Sequence, residues 1–227
     1  MITVHHLNNS RSQRVIWLLE ELGVDYEIKR YERDEQTMLA PKSLLKIHPL
    51  GKSPVITDDA HGGVTVAESG AIIEYLIDRY DIESKLAPPA NTPTRLRYTY
   101  WLHFAEGSAM SPLLMKLVFN RIEKAPMPFF VKPIAKAIAK KTKSSFIDPQ
   151  IKAHLEFIES ELQKSIWFAG GRLTGADIQM SFPLEAAAAR GGLDDSYPKI
   201  MAFLKRIHAR AGYKRALERG GEYNLLT

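Results

Sequence analysis

Residues 53–70 read SPVITDDAHGGVTVAESG, and more of the fold follows from this segment than from any other. Pro54 has no N–H to donate to a ladder, so it marks the start or a bend of a strand. A cis X–Pro bond costs only about 0.5–1 kcal/mol, and a cis bond at Ser53–Pro54 would turn the Ser53 main chain outward, free to pair with an extended peptide. The apolar runs on either side of Gly62-Gly63 predict a β-hairpin.

The end of the same segment predicts a receptor for a carboxylate. Glu68-Ser69-Gly70 follows the second short strand and precedes the helical pattern of residues 71–77. A helix N-terminus carries unpaired N–H groups and partial positive charge, which favour an anion. Together with the outward-turned main chain of Ser53, this predicts a site for a small anionic peptide.

The residues before this hairpin predict a βαβ unit, which implies a parallel strand pair and a right-handed crossover. The predicted elements are a strand at 2–7, a helix at 11–23, a strand at 26–31 and a short helical piece at 42–47. With the hairpin and a helix at 69–80, the order becomes βαβ-α-ββα. This order predicts an N-terminal thioredoxin-like domain over residues 1–80.

Beyond residue 80 the strand signals nearly vanish. Residues 81–92, which contain Pro88 and Pro89, predict a linker. Helical periodicity then recurs, so residues 93–227 predict an all-α domain. The predicted helices are 93–122, 127–143 (interrupted by Pro), 147–164, 174–190 and 198–210.

The pattern Leu173-Thr174-Gly175-Ala176-Asp177-Ile178 predicts the start of a buried helix. Thr174 and Asp177 have the spacing of a capping box, and Leu173 and Ile178 that of a hydrophobic staple. We expect this motif to be structural, since removing such a cap costs about 1 kcal/mol and no chemistry requires it.

Composition narrows the function classes. The 227 residues include no cysteine, so we expect no disulfide and no thiolate metal site, and a cytoplasmic location fits. Neither a run of about eighteen apolar residues nor a signal-peptide layout is present, so no stable membrane insertion is expected. The net charge of +5 comes from interspersed charges without aromatic-basic interleaving, and we expect no nucleic acid partner. His5 and His6 lack a metal-ligand pattern, so no metal is predicted.

Three stretches together resemble the cytosolic-type glutathione transferase superfamily over essentially the whole chain. They are residues 48–55 (HPLGKSPV), residues 67–72 (AESGAI) and the capping box at 173–178. Asn9-Ser10-Arg11-Ser12, Glu106-Gly107-Ser108 and residues 176–183 resemble a fungal and proteobacterial branch of it. The resemblance implies a thioredoxin-like domain followed by an all-helical domain.

The resemblance also implies roles for the residues of the predicted site for a small anionic peptide. Glutathione would be a co-substrate, with no further cofactor. Ser53 beside cis-Pro54 would pair with its cysteinyl part, Glu68 and Ser69 would hold the γ-glutamyl end, and Lys52 would meet an exposed carboxylate. A plain N-cap is the alternative for Ser69, and we favour ligand binding because the Pro54 segment lies nearby.

The group that activates the thiol is the point where this chain departs from the family. Lowering a thiol pKa of about 8.5 by two pH units takes roughly 2.7 kcal/mol, which a hydroxyl donor at the first helix N-terminus can supply. The resemblance implies Tyr, Ser or Cys near the end of the first strand, but no Tyr precedes Tyr26 and no Cys exists. The usual Ser position falls on Asn9. We predict Ser10 as the catalytic group over Asn9, because a hydroxyl is compact and can rotate. Ser10 could instead be only a helix N-cap; Ser12 is expected in the first turn, and Arg14 is a candidate helper.

The start of the all-α domain predicts the electrophile pocket. The candidates at helical spacing are Tyr100, His103, Phe104, Gly107 and Met110, for which a place in the core is an equal alternative. The predicted function is attack of the glutathione thiolate on a hydrophobic electrophile, or reduction of a hydroperoxide, in a homodimer. Two alternatives stay open: glutathione-dependent disulfide exchange, and a non-catalytic glutathione-binding or regulatory module.

A basic strip lies within residues 132–143, where five lysines alternate with Ile134, Ile138 and Ala139. It predicts a solvated helix face. An anionic membrane surface is the alternative.

Overall fold

The computed structural model describes residues 1–221 and 223–225, and the first third of the chain folds in the predicted order. The strands are β1 (Ile2–Leu7), β2 (Tyr26–Tyr31), β3 (Val55–Asp58) and β4 (Val64–Ala67), and the helices are α1 (Ser12–Leu22) and α2 (Ser69–Tyr80). A 3-10 turn at Lys42–Lys46 occupies the predicted short helical piece. The predicted thioredoxin-like fold is confirmed.

The sheet has the strand order β2-β1-β3-β4. β1 runs parallel to β2, as the βαβ unit requires, and antiparallel to β3, with Val55 opposite His5. β3 and β4 form the predicted antiparallel hairpin. Because β3 begins beside the end of β1, the segment that precedes it, including Pro54, lies close to the loop that leads into α1.

The helix α1 packs through a run of fully buried residues, Val15 to Leu19. It ends at Gly23, which has φ 66° in the left-handed region and donates its N–H to the Leu19 carbonyl. Glycine adopts this conformation without the steric cost of a Cβ, so it stops the helix where the sequence predicts.

The second part of the described chain is helical, as predicted. Its helices are α3 (Pro93–Phe104), α4 (Met110–Lys124), α5 (Lys132–Thr142), α6 (Asp148–Lys164), α7 (Gly175–Arg190), α8 (Pro198–His208) and α9 (Ala211–Gly220). The predicted helix at 93–122 is divided by a π-helical turn at Ala105–Ala109. The helix predicted at 127–143 begins only at Lys132. Pro133 lies in its first turn, the position in a helix where the missing N–H of proline has no cost.

The predicted capping box at the start of α7 is present and fully buried. The Asp177 carboxylate accepts from the Thr174 N–H at 2.7 Å, the Thr174 hydroxyl at 2.8 Å and the Phe168 N–H at 2.8 Å. Leu173 and Ile178 both belong to the hydrophobic core. The motif therefore starts α7 and also ties the preceding loop to it.

The helix α9 was not predicted, and it changes the architecture. It packs against α1, with the Tyr213 and Trp17 rings edge to face at 5.2 Å between centroids. Arg215 pairs with Glu20 at 2.6 Å. Most of its buried residues are small and four of its ten residues are charged, so few large apolar side chains mark this helix in the sequence, and its contacts with α1 stabilise it. The C-terminal helix thus holds the first helix of the other domain.

Candidate functional site

A cavity of about 290 Å³ opens where the start of β3, the start of α2 and the start of α1 meet the turn between α3 and α4. It is lined by Arg11, His48, Leu50, Lys52, Ser53, Pro54, Ala67, Glu68, Ser69 and Glu106. All five residues predicted to hold the ligand therefore line one cavity. A volume of this size is at the lower end for small-molecule sites.

The Ser53–Pro54 peptide bond is cis, as predicted. The Ser53 hydroxyl donates to the His5 carbonyl at 2.8 Å, which fixes this segment to β1. Within the described residues, the Ser53 N–H and C=O form no hydrogen bond. A main-chain donor and acceptor in a cavity wall can therefore pair with a ligand that lies extended along them.

The Glu68-Ser69 pair forms the opposite wall. Glu68 has φ 72°, a left-handed conformation that is costly for a residue with a side chain and is often kept at functional sites. Ser69 is 4% exposed and is the first residue of α2, and its side chain forms no hydrogen bond in the described part of the chain. The wall thus offers a hydroxyl and the unpaired N–H groups of a helix N-terminus to an anion.

Two charges of the cavity have no partner. Neither Lys52 nor Glu68 forms an ion pair within residues 1–221 and 223–225. A cation and an anion on one small cavity suit a ligand that carries both signs of charge. A larger cavity of about 700 Å³ lies at the linker, but there Arg210 is already paired with Glu21 at 2.7 Å. We therefore assign the site to the smaller cavity.

The predicted activator Ser10 is 4% exposed and is not among the residues that line the cavity. Its Oγ lies 2.7 Å from the Ser12 Oγ and accepts from the Ser12 N–H at 3.2 Å. The Ser12 Oγ in turn lies 2.7 Å from Nδ1 of His6. Burial lowers the pKa of His6 to about 4, so the ring is neutral at pH 7. The predicted role of Ser12 in the first turn of α1 is confirmed, since it begins the helix.

The alternative activator, Asn9, has φ 48° at the end of the loop from β1. Asparagine tolerates this left-handed conformation better than most residues. Its Oδ1 accepts from the Asn224 N–H at 2.6 Å, which links the loop to the C-terminal segment. Asn9 is not in the cavity lining either, and the catalytic roles of Asn9 and Ser10 stay predictions.

The residue of this loop that does line the cavity is Arg11, which sequence reasoning did not select. Its Nε donates to Oε2 of Glu106 at 3.0 Å, and its guanidinium lies 5.2 Å from the centre of the Phe182 ring. Glu106 also accepts from Arg14, whose side chain is 1% exposed. Two arginines share one carboxylate, so the cluster carries a net positive charge beside the cavity.

Glu106 stays ionised in this cluster. Burial by itself would raise the pKa of its carboxyl, but Arg14 and Arg11 outweigh burial and hold the pKa below its ordinary value. Arg14 donates to Glu106 and to the Gln179 carbonyl and is not among the residues that line the cavity. Its position therefore does not fit the role of a helper at the thiol that the sequence suggested.

None of the five residues predicted for the electrophile pocket lines this cavity among the described residues. Phe104 and Met110 belong to the hydrophobic core. Tyr100 is half exposed and stacks on Phe104 at 5.6 Å between centroids, and it also contacts Phe157 of α6. His103 and Gly107 are exposed on either side of Glu106. Helical spacing had grouped side chains that tertiary packing divides between the core and the surface.

Residues 1–221 and 223–225 contain no group of three or more His, Asp or Glu side chains suited to a metal ion. Over the same ranges, none of the helices combines the length and apolarity needed to cross a bilayer.

A thioredoxin-like sheet carries an open main-chain segment and a helix N-terminus on one cavity, and an all-helical domain follows it; this arrangement suits a small charged peptide. Two family models match the chain: "Glutathione S-transferase, N-terminal domain" over residues 1–78, and "Glutathione S-transferase, C-terminal domain" over residues 119–211.

Known proteins agree over almost the whole length. Glutathione S-transferase 1 of Saccharomyces cerevisiae is 34% identical over 224 residues, covering 96% of this chain and 95% of the yeast protein. The crystal structure of a glutathione S-transferase from Actinobacillus pleuropneumoniae has a TM-score of 0.78 at 35% identity, covering 100% of this chain and 96% of that one. A sphingomonad glutathione S-transferase, solved in complex with glutathione, has a TM-score of 0.73 at 26% identity and covers 96% and 98%. The chain belongs to the glutathione S-transferase family.

Proposed function

We propose that the protein binds glutathione in the 290 Å³ cavity and directs its thiolate at a hydrophobic electrophile. The observation that carries the proposal is that, among the described residues, neither the Ser53 main chain beside the cis proline nor the side chains of Glu68 and Ser69 form a hydrogen bond or ion pair. The family and the glutathione complex of the sphingomonad relative support the choice of ligand.

Each part of glutathione has a complementary group in the cavity. The cysteinyl N–H and C=O pair with the Ser53 main chain. The γ-glutamyl carboxylate accepts from the Ser69 hydroxyl and N–H, and the neighbouring ammonium pairs with Glu68. Lys52 is the partner of the glycine carboxylate. Such charge-assisted hydrogen bonds contribute about 1.5–3 kcal/mol each.

Thiol activation needs a positive potential where the sulfur lies. We assign it to Arg11 together with the N-terminus of α1, because Arg11 lines the cavity and Ser10 and Asn9 do not. The carboxylate of Glu106 orients the guanidinium, and the second arginine keeps the cluster positive. Ser10 and Asn9 stay alternatives, to be separated by experiment.

The electrophile is proposed to bind on the side of the cavity formed by the all-α domain. Three of the predicted pocket residues, Tyr100, His103 and Gly107, are exposed, and His103 and Gly107 lie on either side of Glu106, which lines the cavity. Phe104 and Met110 instead support the helix that carries them, because both are buried. Reduction of hydroperoxides would use the same thiolate, and disulfide exchange would use only bound thiols.

The proposal also covers the branch of the family, the location in the cell, the oligomeric state and the domain bounds. Placement in the fungal and proteobacterial branch is supported by the relatives from yeast and Actinobacillus, both at 34% identity or more. We propose a cytoplasmic homodimer without a metal or prosthetic group. The residues divide into a glutathione domain at 1–80, a linker at 81–92 and an electrophile domain at 93–227.

Calorimetric titration of the full chain with reduced glutathione tests the binding site. Replacing Ser69 with Ala should weaken binding about tenfold to a hundredfold, since one charge-assisted bond is lost from a buried wall. Ser160→Ala, at a half-buried position of α6 outside the cavity lining, is the control and should bind like the parent chain. Absence of binding heat with well-folded protein would refute the proposed ligand.

The pKa of bound glutathione, followed by thiolate ultraviolet absorbance, tests the activator. In Arg11→Gln the pKa should rise by about one to two pH units, as expected for loss of a cation near the sulfur. Ser10→Ala and Asn9→Ala should leave it near the parent value. A rise confined to Ser10→Ala or Asn9→Ala would return the role to that residue. Turnover of an aryl halide and of cumene hydroperoxide then separates transferase, peroxidase and non-catalytic readings.

A further inference from the structure

The net positive charge of this protein comes from one segment, which corrects the expectation that it arises from charges interspersed along the chain. Residues 124–147 contain six lysines and no acidic residue, whereas the whole chain has 31 basic and 26 acidic residues. Outside this segment 25 basic residues face 26 acidic ones, so the rest of the molecule is close to neutral. We refer to residues 124–147 as the basic hairpin, because they join the end of α4 through α5 to the start of α6.

Most of these lysines are free of partners. Lys143 pairs with Glu123 at 2.7 Å, so one of the six charges is neutralised. The other five form no ion pair within residues 1–221 and 223–225; they are Lys124, Lys132, Lys136, Lys140 and Lys141. A concentrated and unpaired charge of this kind attracts an anionic surface.

Large apolar side chains lie exposed among the same lysines. Phe129 is 87% exposed and Phe130 is 65% exposed, in the loop that leads into α5. Ile134 and Ile138, one turn apart on α5, are 61% and 59% exposed. An exposed apolar patch of this density is unusual on a soluble surface and marks an interaction site.

The geometry of α5 places both features on its outer side. Ala139 is buried and marks the face that packs on the protein. Lys132, Lys136 and Lys140 recur at four-residue spacing along one exposed stripe, and Ile134 and Ile138 along another. Lysines beside an apolar stripe, with aromatic residues at one end, form the pattern of a helix that lies in a membrane interface.

Charge argues against the other occupants of this surface. A second copy that met the basic hairpin through the same hairpin would bring five unpaired lysines against five, which repel. A nucleic acid would satisfy the lysines but not four exposed apolar side chains. An anionic bilayer satisfies both, since its headgroups pair with lysine and its interface accepts phenylalanine.

We propose that the basic hairpin adsorbs the protein reversibly to anionic lipid bilayers, with Phe129 and Phe130 entering the headgroup region. No helix crosses the bilayer in this arrangement. The inference does not depend on the proposed function, because none of these residues lines the glutathione cavity.

Flotation of the full chain with large vesicles tests the proposal, comparing phosphatidylcholine alone with phosphatidylcholine that contains phosphatidylglycerol. The parent chain should float with the anionic vesicles at low salt and be released at high salt. The triple variant Lys132→Gln, Lys136→Gln, Lys140→Gln should bind about a hundredfold more weakly. Phe129→Ser with Phe130→Ser should also lose most of the binding.

Matched variants and two alternative outcomes make the test decisive. Lys152→Gln with Lys214→Gln, and Ile82→Ser at a residue 94% exposed, should bind like the parent chain. Circular dichroism and glutathione turnover should be unchanged in all variants. Equal binding to neutral vesicles would overturn the proposal, and so would binding to polyphosphate that the phenylalanine variants retain. A change from dimer to monomer in the phenylalanine variants would instead assign this surface to a second copy.

Discussion

Asp177 is fully buried at the start of α7, and its replacement gives a sharp test of how burial and hydrogen bonding compete. Its carboxylate accepts from the N–H groups of Phe168 and Thr174, which have no other acceptor among the described residues. Burial disfavours the ionised form more than these bonds favour it, so the pKa rises from 3.8 to about 6. Asp177→Asn removes the titration and keeps the size of the side chain.

Two effects of Asp177→Asn can be separated by pH. An amide presents one oxygen and one NH₂ group, so one of the two buried N–H groups loses its acceptor, at a cost of about 1–3 kcal/mol at every pH. The second effect concerns only the parent chain. Between about pH 4 and pH 6 its folded state holds a proton that the unfolded state has lost, so its free energy of unfolding falls as pH rises. The difference between a pKa of 3.8 in the unfolded chain and about 6 in the folded protein corresponds to about 3 kcal/mol in the free energy of unfolding.

Urea unfolding of both proteins between about pH 4 and pH 7, which spans this linkage, measures the difference between their free energies of unfolding. Both are measured at one protein concentration because a dimer is expected. The parent chain should lose most of its advantage over the variant as pH rises through 6. Asp194→Asn is the control: hydrogen bonds from Ser196 lower the pKa of Asp194, so this carboxylate is ionised in both the folded and the unfolded state over nearly all of the range, and its difference should stay almost constant. A difference between parent and Asp177→Asn that does not vary with pH would refute the reasoning.

Two further predictions concern packing around the site. Glu106→Gln should reduce the free energy of unfolding by about 3 kcal/mol, because it leaves the buried guanidinium of Arg14 without its counter-charge. Glu123→Gln breaks an ion pair whose cation is more exposed, and it should reduce the free energy of unfolding by less than about 1 kcal/mol in the same urea titration. Equal costs would contradict the importance of burial. Gly175→Ala, at the start of α7, should lower the melting temperature, because the added Cβ would lie 2.6 Å from a methyl group of Ile77. Gly107→Ala should leave the melting temperature nearly unchanged, because nothing lies within 4 Å of its added Cβ.

Local patterns accounted for the glutathione wall of the site. Pro54, the hairpin that follows it and the Glu68-Ser69 pair are all within eighteen residues, and their geometry depends on backbone rules that operate over a few residues. The capping box at Thr174 and Asp177 is local in the same sense. These features were predicted correctly because steric limits on φ and ψ, and the unpaired groups of a helix end, act before any tertiary contact forms.

Side-chain direction was harder to predict. Ser10 and Arg11 are neighbours, and only the docking of the loop against α7 and the α3–α4 turn leaves Arg11 facing the cavity while Ser10 joins a buried hydroxyl network. Glu106 is the acid that pairs with Arg11 and Arg14. It lies more than ninety residues from them along the chain, so no local sequence pattern predicts this ion-pair cluster.

The amino-acid sequence by itself determined the order of strands and helices in the first eighty residues, the cis bond before Pro54 and the start of α2 at Ser69. The tertiary structure alone decided that Arg11 lines the cavity while Ser10 does not, that Phe104 and Met110 support the core, and that α9 forms against α1. The physical reason is range: dihedral preferences and helix capping act between near neighbours, whereas burial and ion pairing depend on residues brought together from distant parts of the chain.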